Sequence, residues 1–216
     1  MIDHRLLRGA AAIGALVSTL LAGPAAAGAY EDFFRALRGD DARAVSALLA
    51  RGFDPNAPDE KGQVPLYLAL RDGSLNVARV LLASPDLKVD APNAVNETPL
   101  MMAALRGDME WTLLLLQRGA QVNRSGWTPL HYAASGPEPK IVALLLDRGA
   151  AIEAPSPNRT TPLMMAAGYG AIDAADLLLK RGADARARND AGLNAADFAR
   201  RAGRDALAQR IESAAK

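Results

Sequence analysis

The chain has 216 residues, of which 50% are hydrophobic and 23% are charged, so a single folded domain is the first expectation. Its 25 basic and 24 acidic side chains nearly balance, which excludes a strongly basic nucleic-acid binder and an acidic tail. The chain has no cysteine and only two histidines, His4 and His131, so thiolate sites, disulfides and multi-histidine metal sites are excluded.

The N-terminal segment has the pattern of a secretory signal peptide. A short basic start is followed by an apolar run from Ala10 to Ala22 and by closing alanines. The apolar run is too short to cross a bilayer, which takes about 20 residues. We predict a signal peptide at residues 1–27, with the cut as late as residue 29, and export to the periplasm or the cell exterior.

The rest of the chain repeats itself with a period near 33 residues. A tetrad that ends in Pro-Leu occurs four times, and its prolines lie 34, 30 and 33 residues apart. The copies are Gln63-Val64-Pro65-Leu66, Glu97-Thr98-Pro99-Leu100, Trp127-Thr128-Pro129-Leu130 and Thr160-Thr161-Pro162-Leu163. A degraded copy starts at Asn194. No single unit can bury its own apolar face, so neighbouring units must stack.

Each unit has the pattern of two short helices joined by a turn. Threonine is a good N-cap, and proline fits the first helical position, where a backbone N–H has no intrahelical partner. We predict that a glycine eight residues after the proline ends the first helix, at Gly73, Gly107 and Gly170. The leucine-rich second helix is predicted to end at Gly52, Gly119, Gly149 or Gly182.

At the fourth unit the sequence resembles the ankyrin-repeat family. Residues Thr128 to Ala134 match the family's Thr-Pro-Leu-His-x-Ala-Ala signature, and Leu144 to Ala150 match its Leu-Leu-Leu-x-x-Gly-Ala ending. The resemblance implies an all-α solenoid of helix–turn–helix units joined by short β-hairpin-like turns. It places an ankyrin-repeat domain at residues 30–216, with four central units between two capping units. It also implies recognition of other proteins, normally without a cofactor.

One turn departs from the family pattern. Eight residues separate Asp90 from Thr98 and Glu153 from Thr161, but only five separate Asn123 from Thr128. We therefore predict that the projecting finger before the fourth unit is stunted. Trp127 lies in this turn, where it would either contact a partner or cover the apolar wall that the shortened turn leaves bare.

The candidates for chemistry are better explained by structure. The resemblance implies that His131 is a structural residue that forms hydrogen bonds near the turn. The pairs Met101-Met102 and Met164-Met165 have thioethers suited to soft metals, but their equivalent positions in first helices predict core packing. Trp111 is also predicted to be core. We expect no catalytic residue, no metal site and no cofactor.

The resemblance places partner contacts at the turn tips and at the two positions before the glycine of the first helix. Carried over by register, the predicted contact residues are Glu60, Lys61, Gln63, Arg71, Asp72, Glu97, Leu105, Arg106, Trp127 and Tyr169. The two aromatic residues stand out because exposed aromatics are frequent binding hot spots. Tyr169 has a second interpretation, as a half-buried residue beside Gly170.

We expect a non-enzymatic module of the periplasm or cell envelope that binds a protein partner through its concave face. The alternative is a binder of cell-wall polymer or lipid head groups, which regularly spaced aromatics would favour. The neutral composition gives no support for nucleic-acid binding. After signal cleavage we expect no membrane insertion, and two capped ends favour a monomer.

Overall fold

The computed structural model describes residues 24–215, with backbone only for residues 24–27. The described chain forms twelve α-helices and no strand. They follow in six pairs: α1 (Pro24–Arg38) and α2 (Ala42–Ala50), α3 (Pro65–Asp72) and α4 (Leu75–Ala83), α5 (Pro99–Arg106) and α6 (Met109–Gln117), α7 (Pro129–Ser135) and α8 (Pro139–Asp147), α9 (Pro162–Gly168) and α10 (Ile172–Lys180), α11 (Ala195–Arg201) and α12 (Asp205–Ala214). The predicted all-α repeat architecture is confirmed.

The predicted signal peptide lies outside the described residues, apart from the backbone of residues 24–27, so it stays a prediction. In the part of the chain that is described, no helix combines the length and the apolar character needed to span a membrane.

The first helices begin as the Thr-Pro pattern predicts. The Thr98 hydroxyl accepts a hydrogen bond from the Met101 amide, and the Thr161 hydroxyl accepts one from the Met164 amide, both at 3.4 Å. Each threonine thereby satisfies one amide in a first turn that has no intrahelical carbonyl to bind. Proline takes the next position, where the lack of an N–H costs nothing.

Two of the three predicted glycine caps are confirmed and one is wrong. Gly73 and Gly107 have left-handed backbone at φ 78° and 72°. Helix α9 instead ends at Gly168 with Tyr169 as its cap, and Gly170 is not left-handed. A Cβ atom at Gly170 would lie 1.8 Å from the carbonyl oxygen of Ala134. Glycine is needed there because two backbones approach closely.

The second helices end as predicted in four units. Gly52, Gly119, Gly149 and Gly182 follow the cap residue and all have φ between 83° and 90°. Helix α4 is different, because it ends at Ser84 with extended backbone. That unit lacks the Arg-Gly ending of the others.

Backbone hydrogen bonds close four of the turns into narrow fingers. They join Asp59 to Gln63, Asn93 to Glu97, Ser156 to Thr160 and Asn189 to Leu193, with N···O distances of 2.8 to 3.0 Å. Between residues 121 and 127, all of which are described, no such bond closes the turn before the fourth unit. The stunted finger is confirmed.

The pairs stack so that each unit packs on its neighbours. From α3 to α11 the first helices of successive units pack more closely than the second helices, most of all from α5 to α11. The predicted contact residues lie on the face formed by the ends of the first helices and the turn tips. We call it the concave face, as the ankyrin-repeat resemblance implies.

Candidate functional site

The concave face has a pocket at the fourth unit. A cavity of about 240 Å³ lies between α5, α7 and α9 and is lined by Leu105, Trp127, His131, Tyr132, Ser135 and Met165. We call it the inner pocket. It lies beside the shortened turn, where no full-length finger covers it. Its lining is mostly apolar, as is typical of sites that bind by burying a side chain.

Trp127 forms one wall of this pocket. Its ring is half-buried and meets the His131 ring edge-on, with centroids 5.2 Å apart and an interplanar angle of 77°. Part of the indole therefore covers the structure beside the short turn, and part is open to the cavity. The two interpretations of Trp127 are compatible in this geometry, and its contact role stays a prediction.

His131 is a structural residue, as predicted. Its side chain is completely buried, Nδ1 accepts a hydrogen bond from the Thr128 amide at 3.2 Å, and Nε2 donates to the Thr160 carbonyl at 2.9 Å. Burial lowers the pKa of His131, while its backbone hydrogen bonds act in the opposite direction. The neutral imidazole therefore connects the fourth unit to the turn of the fifth.

Methionine takes the place of His131 in two neighbouring units. The sulfur atoms of Met101 and Met164 accept hydrogen bonds at 3.4 Å from the Thr98 and Thr161 amides. Both methionine side chains are at most 1% exposed, so their predicted core role is confirmed. Met165 differs, because it is half-buried and lines the inner pocket. Met165 packs against the core cluster, as predicted, and its other side is open to the pocket.

The Glu97 carboxylate links three units. Oε1 accepts a hydrogen bond from the Tyr132 hydroxyl at 2.8 Å, and Oε2 accepts one from the Tyr67 hydroxyl at 2.6 Å and one from the Asn93 amide at 2.9 Å. Burial alone would raise the pKa of Glu97, but these three bonds lower it. Burial and the bond to Glu97 raise the pKa of both tyrosines. Glu97 is thus ionised, and both of its oxygens are engaged within the protein.

Gln63 belongs to the same network, because its Oε1 accepts a hydrogen bond from Asn93 at 3.0 Å. Glu97 and Gln63 were predicted as contact residues, and the structure places both half-buried with internal partners. Tyr67 is buried, so the part of this network that is open to a partner consists of Tyr132, Glu97 and Gln63.

The arginines at the ends of α3 and α5 differ in their partners. Arg71 forms a two-pronged ion pair with Asp72 at 2.7 and 3.0 Å. The Arg106 guanidinium donates to the Arg71 carbonyl at 2.9 Å and has no carboxylate partner among the described residues. Arg106 therefore presents an uncompensated charge on the concave rim, next to Leu105 of the inner pocket.

The Tyr169 side chain is exposed to solvent. It is 65% exposed, which contradicts its interpretation as a half-buried residue. Its ring stands edge-on to Phe198 with centroids 6.5 Å apart, and a shallow cleft of about 150 Å³ lies between them, lined also by Gly168, Arg201 and Ala202. We call it the outer cleft.

Glu60 and Lys61 lie at the opposite end of the face. They line a separate cavity of about 380 Å³ with Tyr30, Phe34 and Arg38, among others. The ten predicted residues are therefore spread along the concave face, and only Leu105 and Trp127 share the inner pocket.

Tyr132, Met165 and Phe198 complete the clefts, and sequence reasoning missed them. All three occupy the same register, the third position after the first residue of their helices. Their large side chains in that register were the available signal.

No group of three or more His, Asp or Glu side chains able to hold a metal occurs within the described residues. Three of the residues that line the inner pocket have polar side-chain atoms with internal partners: both nitrogens of His131 bind backbone groups, and the Ser135 and Tyr132 hydroxyls donate to the His131 carbonyl and to Glu97. This arrangement can bury an apolar side chain of a ligand.

The comparisons with known proteins give one consistent result. A family model described as "Ankyrin repeats (3 copies)" matches residues 33–125, 88–156 and 122–189. The mouse B-cell lymphoma 3 protein homolog is 32% identical over 152 residues, which cover 67% of this chain and 34% of that protein. Mouse ankyrin repeat and SOCS box protein 16 is 32% identical over 173 residues, 75% of this chain and 38% of that protein. This chain spans well under half the length of either relative.

Proposed function

Since this chain belongs to the ankyrin-repeat family, we propose that it is a non-enzymatic module that binds a partner protein through its concave face. Ankyrin repeats are protein–protein interaction modules, and the matched repeats extend over most of the chain. The observation that carries the proposal is the inner pocket, where mostly apolar side chains line an open cavity on this face. Partly exposed apolar and aromatic side chains of this kind are typical of binding surfaces.

We also propose that the module works in the periplasm or cell envelope. The support is the signal-peptide pattern of residues 1–27. Mass spectrometry of the protein purified from the envelope fraction would test it. A mature N-terminus between residues 28 and 30 would support export, and an intact N-terminus in the cell interior would contradict it.

The test of binding is capture from a cell-envelope extract with the full chain, carrying a C-terminal affinity tag, as bait. A second bait has four concave residues changed to alanine: Arg71, Arg106, Trp127 and Tyr169. A third bait carries Lys140→Ala and Ile172→Ala on second helices, as a control for exposed side chains removed elsewhere. All three must show equal thermal stability before the comparison is made.

We expect a protein that the first and third baits retain and the second loses. Retention by all three would contradict the concave face as the site but keep the binding function. If no bait retains any protein, the proposed function is wrong.

A further inference from the structure

We infer that the concave face from α5 to α11 binds an extended segment of the partner that has large apolar side chains in its middle and a carboxylate near each end. This inference rests on the proposed function and adds the chemistry of the partner. It combines the two clefts of the face with two arginines that lack ion-pair partners.

The apolar part of the surface is continuous along α9. Met165 lines the inner pocket, and Gly168 and Tyr169, three and four residues later, line the outer cleft. Residues at this spacing lie on the same face of a helix, so the two clefts adjoin. Together they form one apolar strip from Leu105 to Phe198, with room for more than one side chain.

An arginine stands at each end of this strip. Arg106 follows Leu105 at one end, and Arg201 lines the outer cleft with Phe198 at the other. Neither forms an ion pair with any residue that the structure describes, and both are exposed. Arg200, in contrast, is paired with Asp197 and Glu212. The two end charges are therefore available to a ligand.

Among the described residues, no acidic side chain of this face forms an ion pair with either arginine. Asp197, one turn before Arg201 on α11, is bound by Arg188, Arg200 and the Asn194 backbone N–H. Glu97 has both carboxylate oxygens bound by Tyr67, Tyr132 and Asn93. Asp72 is occupied by Arg71 in the same way. A carboxylate of the partner is the charge that complements Arg106 and Arg201, and it would be steered to both ends of the strip.

The distance between the arginines sets the length of the segment. They lie on first helices three units apart, and packed helices are about 8–10 Å apart, which gives a span of roughly 25–30 Å. An extended chain advances about 3.3 Å per residue, so its two carboxylates would be separated by about eight or nine residues. Since side chains of an extended chain alternate, apolar residues are expected at every second position between them.

The probe for the test is a random twelve-residue peptide library displayed on phage and selected on the full chain. We expect enrichment of peptides that have Asp or Glu eight or nine residues apart with large apolar residues at alternating positions between them. A synthetic consensus peptide should bind at least tenfold more weakly to Arg106→Glu and to Arg201→Glu. The matched control is Arg43→Glu, the same charge change on the exposed surface of α2, which should leave the affinity unchanged.

Trp127 gives a local readout of the same event. Peptide binding should shift its emission to shorter wavelength, whereas Trp111 is already completely buried and should contribute no change. The shift should disappear in Trp127→Phe. Saturable binding of the consensus peptide without this shift would place it elsewhere and overturn the inference.

Three further results would overturn the inference: no enrichment, an enriched sequence without carboxylates, or an affinity that both charge reversals leave unchanged. These failures differ from failure of the proposed function. If the envelope capture finds a concave-face partner while the library result is negative, the function stands and only the partner chemistry is wrong.

Discussion

The two halves of the stack are packed in different ways. The N-terminal core cluster, from Phe33 to Ala120, is built from large side chains such as Phe33, Leu81 and Trp111, and contains only four buried alanines. The C-terminal cluster, from Ala104 to Ile211, consists mostly of alanine. Large side chains fill the core of the N-terminal half. In the C-terminal half, the small alanine side chains let the backbones of neighbouring helices approach each other.

The two halves should therefore respond in opposite ways to substitutions that shorten or enlarge a core side chain. A core of large side chains loses most when a side chain is shortened, because a cavity remains. A core of small residues at close backbone contact loses most when an atom is added. The inner pocket and the outer cleft lie on the closely packed half, where rigid first helices hold their positions.

The largest effect is expected from Trp111→Ala in the N-terminal half. The side chain is fully buried, so its loss should reduce the free energy of unfolding by about 3–5 kcal/mol. Trp111→Phe is the control, and it should cost much less, because it keeps most of the volume and removes an indole N–H that has no partner among the described residues. Urea unfolding followed by circular dichroism measures both. A cost below about 1 kcal/mol for the alanine variant would contradict the packing difference.

Gly170→Ala probes the C-terminal half. The new Cβ would overlap the Ala134 carbonyl oxygen, a main-chain atom that cannot rotate away, so we expect a loss of about 2–3 kcal/mol. Gly149→Ala is the control, because it meets no atom within 4 Å and adds only left-handed backbone strain of about 1 kcal/mol. Hydrogen exchange should show the damage of the first variant in α7 and α9. An equal loss in free energy of unfolding for the two variants would contradict the close approach of the two backbones at Gly170.

The boundary between the halves should respond to pH through His131. Because burial lowers its pKa below the ordinary 6.5, the unfolded chain takes up a proton first as pH falls. Stability should therefore be full above pH 6.5 and decrease below it, until the folded protein is also protonated. His131→Met, which introduces the residue found at Met101 and Met164, should remove the decrease that begins near pH 6.5, within a measured range from about pH 7.5 to 5.5. Thermal unfolding across this range would measure it, and a decrease of the same size in both proteins would exclude His131 as the cause.

The smallest effect is a gain at a turn. Arg159 has left-handed backbone at φ 60°, in the position that Gly62 and Gly192 occupy in other fingers. Arg159→Gly should raise the free energy of unfolding by about 0.5–1 kcal/mol, because it relieves that strain. The 4.0 Å contact with Asp190 is exposed and contributes little. Gly192→Ala should lose a similar amount, and a loss for Arg159→Gly would mean that the arginine has a stabilising role.

Local signals were enough to predict much of this fold. The Thr-Pro tetrads located the helix starts, Gly73 and Gly107 located two ends, and residue counts predicted the stunted turn. These features depend on neighbours within a few residues of the chain. The division into signal peptide and repeat domain stays a prediction.

Contacts between units could not be predicted from these local signals. Gly170 looked like a helix cap, but its role depends on Ala134, in the preceding unit. Glu97 looked like an exposed contact residue, yet it binds tyrosines 30 and 35 residues away. Such partners become visible only when the units are placed side by side. The predicted contact residues therefore remain a prediction, and the residues that complete the clefts, Tyr132, Met165 and Phe198, were missed.

The shortened turn before the fourth unit shows that turn length and helix stacking vary independently. This turn has three residues fewer than its counterparts, yet the helix that follows it, α7, still packs between α5 and α9. A small in-frame insertion or deletion at this point of a gene would reshape a recognition surface without a compensating change in the core. Such a turn is a place where descendants of one scaffold can acquire new partners in a single mutational step.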